Sequence, residues 1–234
     1  MKLVLKTSPR SVGNMGFLNG KPERFVINNR NRFYYSLGVR PKQVARCGQV
    51  HGKHVRAVSK IPAAGYFLKT DALITNKPGI FLTAVTADCF PVFFYASGKG
   101  AVGIAHAGWR GVVKKIVPET LHAMVKVYLL KTEDVRVAIG PGIRKCHFEV
   151  TREVLLKFKS SRAFIFRRGR KIFIDLPGII RDQLRKAGVR HKNIVDSGEC
   201  TCHNPRKYFS YRRDKSEEHP KGFGNMISVI GYKK

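Results

Sequence analysis

The sequence is short of acid. Fifteen Asp and Glu stand against 45 Lys and Arg, a formal net charge of +30. That excess disfavours basic partners and favours anionic ones: nucleic acid, a membrane surface or phosphate-bearing small molecules. The basic residues are nonetheless scattered, in pairs such as Lys114-Lys115, Arg167-Arg168 and Arg212-Arg213, with no run of five. Long apolar runs are missing too. Without 18 consecutive apolar residues no transmembrane helix is expected, and MKLVLKTSPRS lacks the apolar core of a secretion signal. Cysteine is sparse and odd in number: Cys47, Cys89, Cys146, Cys200 and Cys202. That argues against a disulfide framework and for a reducing cytoplasm, where thiols are free to bind metal or react.

What is present is enough for a packed core. The chain has 234 residues, 43% of them apolar, and we expect one domain spanning 1–234. Two apolar runs stand out, Phe81 to Ala87 ending at Asp88-Cys89, and Ala101 to Ala105 ending at His106. Bounded by Gly and Pro, they read as buried strands, with a thiol and an imidazole in equivalent places. Further strands are expected over 2–7, 66–75, 135–139, 193–196 and 226–230, paired strands within 43–58, and a hairpin over 163–174. Helices are expected over 23–37, 112–131, 149–159 and 176–186. The clearest has Leu121, Met124, Val125, Tyr128 and Leu129 on one face and Pro118 near its start. Helices alternate with strands that also form hairpins, so the class is α/β with a mixed sheet.

His51 lies in the small-residue loop Gln49-Val50-His51-Gly52. With Cys89 and His106 it offers two imidazoles and a thiolate, donors that suit Zn²⁺ and leave a fourth position for water. Zinc lowers the pKa of such a water to about 7. The three are far apart in sequence, so spacing alone does not single them out, and a buried Cys is ordinarily just a small apolar residue.

The motifs carry more. The chain resembles the YfiH-type family, once called laccase-domain or polyphenol oxidase proteins and now viewed as zinc-dependent purine nucleoside phosphorylases. The matching pieces are Gln49-Val50-His51-Gly52, Asp71-Ala72-Leu73-Ile74-Thr75, Thr86-Ala87-Asp88-Cys89-Phe90-Pro91 and Ala105-His106-Ala107-Gly108-Trp109-Arg110-Gly111. Later come Ile139-Gly140-Pro141-Gly142-Ile143, Cys146-His147-Phe148-Glu149-Val150, Cys200-Thr201 and Phe209-Ser210-Tyr211-Arg212-Arg213-Asp214. The resemblance implies that His51, Cys89 and His106 hold zinc and that the domain is an α/β/β/α layered sandwich. It implies phosphorolysis of adenosine, guanosine, inosine and methylthioadenosine, with adenosine deamination at the same site. Ser8-Pro9-Arg10-Ser11-Val12-Gly13 stands where the family has a Gly-rich start, so contacts made by that segment are not carried over.

That chemistry can be matched to residues. Arg110 can offer bidentate contacts to phosphate, and Gly140-Pro141-Gly142 open backbone amides to it. Arg10, Arg144 and Arg212 are further phosphate candidates, and Gln49 a substrate contact. Asp88 is placed to orient a water or to hold a ligand imidazole, and Trp109 to line the pocket.

Four-copper laccase chemistry needs many histidines in His-x-His pairs; the chain has eight histidines and no such pair, so copper is at most an adventitious substitute. His147-Phe148-Glu149 imitates half of a deaminase signature, but no Pro-Cys-x-x-Cys follows. Cys200-Thr201-Cys202-His203 packs three potential ligands together, and no second pair is expected to complete a site. A cysteine hydrolase built on Cys89 and His106 is the alternative enzyme. A nucleic-acid binder is the alternative by charge, although no recognised binding module is present. The oligomeric state is not legible.

Overall fold

The computed structural model describes residues 1–17, 22–215 and 223–234. Two mixed sheets dominate. The first runs β1 (Leu3–Thr7), β14 (Met226–Tyr232), β6 (Phe81–Thr86), β2 (Val44–Gly48), β4 (Tyr66–Leu68). The second runs β13 (Ile194–Asp196), β9 (Arg136–Ile139), β7 (Phe90–Ala96), β8 (Ala101–Ala107), β5 (Ala72–Thr75), β3 (Val55–Ala57). A small antiparallel sheet of β10 (Glu149–Val150), β12 (Lys171–Ile174) and β11 (Ile165–Arg168) contains the expected hairpin.

The two-residue period of the strands sorts the core into layers. In β5, Leu73 faces one way and Ala72 and Ile74 the other; in β7, Phe93 opposes Val92 and Phe94. Leu73, Phe93, Val102 and Ile104 meet Leu82, Ala84 and Ile230 between the sheets. On the outer face of the second sheet lie α2 (Trp109–Val113), α3 (Ile116–Tyr128) and α5 (Leu176–Lys186), through Val112, Leu121, Met124, Ile180 and Leu184. On the outer face of the first lies α1 (Glu23–Ser36), through Phe33 and Tyr34. The result is the expected mixed α/β class in α/β/β/α layers. Short α4 (Arg152–Leu156) and α6 (Tyr211–Asp214) sit in the connections.

The differences from expectation all concern where the chain changes direction. Residues 66–75 form two strands in different sheets, because Lys69 adopts a left-handed φ of 50° between β4 and β5. β2 and β3, expected to pair, also lie in different sheets, so the segment between them crosses from one to the other. Lys115, at φ 64°, splits the long helix into α2 and α3; Pro118 sits in the first turn of α3, and Leu129 lies beyond its end, exposed. The helix expected over 149–159 contracts to α4, because Glu149 and Val150 pair with β12.

Candidate metal centre and cavity

The site forms where the chain crosses between sheets. His51 lies in the β2–β3 crossing, and Cys89 in the β6–β7 crossing. His106 projects from β8, one residue short of its end. His51 itself and Asp88, just before Cys89, hold positive φ of 56° and 80°. Such conformations cost about 1–3 kcal/mol in non-Gly residues and persist only where the surroundings enforce them.

For His51 the enforcing group is Asp71, wholly buried just before β5. Its carboxylate accepts from the backbone N–H of Val50 (3.2 Å), His51 (2.9 Å) and Gly52 (2.7 Å), fixing the loop. It also accepts from His106 Nδ1–H at 3.0 Å. An acceptor-only carboxylate there leaves His106 Nε2 as the ring's free ligand position. Burial alone would raise the Asp71 pKa, but the bonds from His106 and Gly52 hold it below the usual carboxylate range.

The donor atoms of His51, Cys89 and His106 all lie within 4.8 Å of one another. Cys89 Sγ is 3.9 Å from His51 Nε2, and the two imidazole rings meet edge to face at 4.7 Å. Two imidazoles and a soft thiolate form a donor set fit for zinc or copper, with His106 already braced from behind.

Without metal these groups form an ion pair. Burial pushes the Cys89 thiol up, but His106 and then His51 outweigh it and bring it to about 6. Burial pushes His106 down, but the Cys89 thiolate and Asp71 outweigh it and hold the ring charged at neutral pH. Metal-free protein should therefore be alkylated by iodoacetamide at Cys89 with a rate midpoint near pH 6, against about 8.5 for a free thiol. Bound metal should protect it. Peptide mapping after timed alkylation measures both, and an ordinary thiol midpoint would count against the ion pair.

The three residues open into a cavity of about 810 Å³, large enough for a nucleoside with phosphate. Trp109, Phe148 and Tyr211 give it aromatic walls, and Arg30, Arg46, Arg110 and Arg212 give it charge. Among the described residues, the side chains of these arginines bond backbone carbonyls or aromatic rings rather than carboxylates. Arg30 donates to Met15 O and Arg46 to Gly65 O, Arg110 stacks on Trp109 at 4.3 Å, and Arg212 donates to the carbonyls of His147 and Glu149. Burial lowers Arg30 to about 10, still charged at neutral pH.

The other expected site residues divide. Gln49 lines the cavity, its amide bonded both ways to the backbone of Val85. Asp88 borders it, but its oxygens accept from Thr201 Oγ1 (2.6 Å) and Arg212 N–H (2.6 Å). It therefore ties distant loops together, and Asp71 is the carboxylate that holds the His106 imidazole. Arg144 does not line the cavity; it pairs with Asp196 beneath the second sheet's edge. Gly140 is also outside, its N–H bonded to Pro91 O. Arg10 is turned to Asp214. Arg30, Arg46 and Asp71 were not singled out from sequence. Arg30 had a signal, a cation within the apolar stripe of Val26, Phe33 and Tyr34.

Known proteins resemble the chain over nearly its whole length. The family model described as multi-copper polyphenol oxidoreductase laccase matches residues 5–233. A Deinococcus radiodurans protein named purine nucleoside phosphorylase is 35% identical, over 89% of this chain and 78% of its own. The Escherichia coli protein named purine nucleoside phosphorylase YfiH is also 35% identical, over 93% of this chain and 85% of its own. The solved Bacillus licheniformis hypothetical protein YfiH superposes with a TM-score of 0.90 at 26% identity, covering 99% of this chain and 93% of that one. The chain belongs to this laccase-like, YfiH-type family.

Proposed function

We propose that the chain is a purine nucleoside phosphorylase that holds one zinc ion on His51, Cys89 and His106. The observation that carries the reading is the convergence of these three donors at one end of a cavity with aromatic and cationic walls. Zinc, when bound, supplies a Lewis acid and acidifies a water on its open position. Everything else falls to the chain. Asp71 keeps the His106 proton on Nδ1. A planar purine finds stacking partners in Trp109, Phe148 and Tyr211. Phosphate finds fixed positive charge in Arg110, Arg30 and Arg46. In phosphorolysis a phosphate oxygen forms the bond to C1′ as the C1′–N9 bond breaks, and N9 leaves with the electron pair and takes a proton from solvent. Walls that fix base and phosphate against the ribose supply orientation, a large share of such catalysis. Adenosine, guanosine, inosine and methylthioadenosine fit this reading, and an acidified water near C6 would add adenosine deamination.

The test is direct. Zinc-loaded protein given adenosine and phosphate should release adenine and ribose 1-phosphate, and Cys89→Ala should lose zinc and activity together. No base release from zinc-loaded protein would overturn the reading. Arg110→Lys keeps the charge but loses the planar fork. It should raise KM for phosphate about tenfold, the worth of one charge-assisted contact of about 1.5 kcal/mol, with a smaller change in kcat. Steady-state kinetics at varied phosphate checks this.

A second reading, a cysteine hydrolase, is favoured by one observation: Asp71, His106 and Cys89 form a chain of the acid–imidazole–nucleophile kind. The two separate on metal. Zinc on the thiolate should abolish hydrolase activity and support phosphorolysis.

A further inference from the structure

A second group of soft donors lies beyond the cavity wall. Cys146, His147, Cys200 and His203 bring four ligand atoms within 4.8 Å of one another. They come in two pairs far apart in the chain. Cys146-His147 sits in the loop after β9, in a turn closed by His147 and Phe148 N–H donating to Arg144 O at 2.8 Å. Cys200-x-x-His203 sits in the loop after β13. Because β9 and β13 are neighbouring parallel strands, both loops leave the same end of the sheet. They continue side by side through a Gly142–Cys200 bridge. Pairing thus supplies the second pair of ligands that the Cys200–His203 segment lacks by itself. Cys202, its near neighbour in sequence, is not part of the group.

The distances decide what the group can hold. Cys146 Sγ lies 3.5 Å from Cys200 Sγ and 3.5 Å from His203 Nδ1. His147 Nδ1 lies 3.3 Å from Cys146 Sγ and 3.7 Å from Cys200 Sγ. Zn–S bonds of about 2.3 Å and Zn–N bonds of about 2.0–2.1 Å at tetrahedral angles require edges of about 3.8 Å between sulfurs and about 3.6 Å between sulfur and nitrogen. The four edges given lie within about 0.3 Å of these values, and the other two are within 4.8 Å. A sulfur pair at 3.5 Å is far outside the roughly 2.05 Å of a disulfide.

We propose that Cys146, His147, Cys200 and His203 form a second, four-ligand site for a zinc-class divalent cation, separate from the cavity site. The two thiols release their protons to solvent as two metal–sulfur bonds form; no redox change occurs. With four protein donors the coordination sphere is closed, so the ion is structural. It clamps together two loops that hold the cavity wall. Phe148 follows His147 directly, Arg212 donates to His147 O at 3.0 Å, and Thr201 donates to Asp88.

The experiment is metal counting on the full chain purified from zinc-supplemented, reducing medium. The wild type should carry about two zinc ions per chain, one for each group of donors. Cys146→Ser and, independently, His203→Ala should each drop to about one, while Cys89→Ala also drops to about one but keeps the other ion. His203 is exposed, so its loss spares the fold; far-UV circular dichroism confirms that. Cobalt loading gives a second readout. Cys89→Ala should retain the intense visible bands of tetrahedral, thiolate-bound cobalt, and Cys89→Ala/Cys146→Ser should lack them. One zinc per wild-type chain, lost with Cys89→Ala and unmoved by Cys146→Ser, would overturn the proposal. So would a Cys146–Cys200 disulfide in freshly purified protein. Neither result overturns the first site, whose zinc is counted separately through Cys89→Ala.

Discussion

Asp71→Ala should remove about 3–5 kcal/mol of stability, the cost of breaking a buried charged network from one side. For a chain of this size that is a fall in Tm of about 6–20 °C. The large figure follows from what is orphaned: three backbone N–H groups of the 50–52 loop and the Nδ1–H of a buried imidazole. The gentler Asp71→Asn separates bracing from folding. Its amide can accept from the loop or from His106, but not from all four donors. If its NH₂ faces His106, the ring must accept at Nδ1 and carry its proton on Nε2, the nitrogen needed for metal. Zinc affinity should fall about 10–100-fold, the usual effect of losing such a brace. Chelator competition measures it, alongside thermal melts. Wild-type affinity and Tm in Asp71→Asn would show that the carboxylate braces nothing. The sign in pH follows from its lowered pKa. The stabilisation is fully present above the ordinary carboxylate value of about 3.9 and is lost as pH falls through the folded-state value.

Asp71 also shows where sequence reading stops. His51, Cys89 and His106 were reachable because each sits inside a short specific motif; their spacing carried nothing. Asp71 stands inside one of those same motifs, a lone acid opening an apolar run, and only the crossing of the 49–54 segment between sheets reveals what it holds. The layers were legible from the two-residue alternation of strands such as β7. The breaks were not. Lys69, Lys115 and Asp88 take positive φ without being glycine, so no local signal marked them. The second cluster was only half visible: Cys200 and His203 stood out together, but the pair that completes them did not. Its halves come from different loops, and the parallel pairing of β9 with β13 is a tertiary fact.

The +30 charge acquires a partial location in the structure. Four arginines border one cavity, and among the described residues their side chains pair with carbonyls or rings, not with acids. No described carboxylate neutralises them, while elsewhere Arg144, Arg181 and Arg190 are paired with carboxylates. An anionic substrate entering the cavity meets a concentrated field.

Gly108→Ala should disable the metal centre through a single methyl group. Gly108 has φ −75° and ψ 165°, which alanine adopts freely, so backbone strain plays no part. The added Cβ would stand 2.8 Å from Cys89 Sγ and 2.9 Å from His51 Cδ2, against two of the three donors at once. Neither can yield cheaply: Cys89 follows a residue held at positive φ, and the His51 loop is pinned by Asp71. Overpacking of this kind costs about 1–3 kcal/mol. A site that must hold its geometry within about 0.5 Å loses more in function than in stability. Zinc affinity at the cavity site should drop at least about tenfold and phosphorolysis with it, with only a modest change in Tm. Gly98→Ala is the control, since a Cβ there meets nothing within 4 Å and the backbone is not left-handed; it should be neutral or stabilising by about 0.4–1 kcal/mol. Isothermal titration of metal-free proteins with zinc distinguishes them. Equal affinity in Gly108→Ala and wild type would mean that Cys89 and His51 do not share an ion beside that glycine.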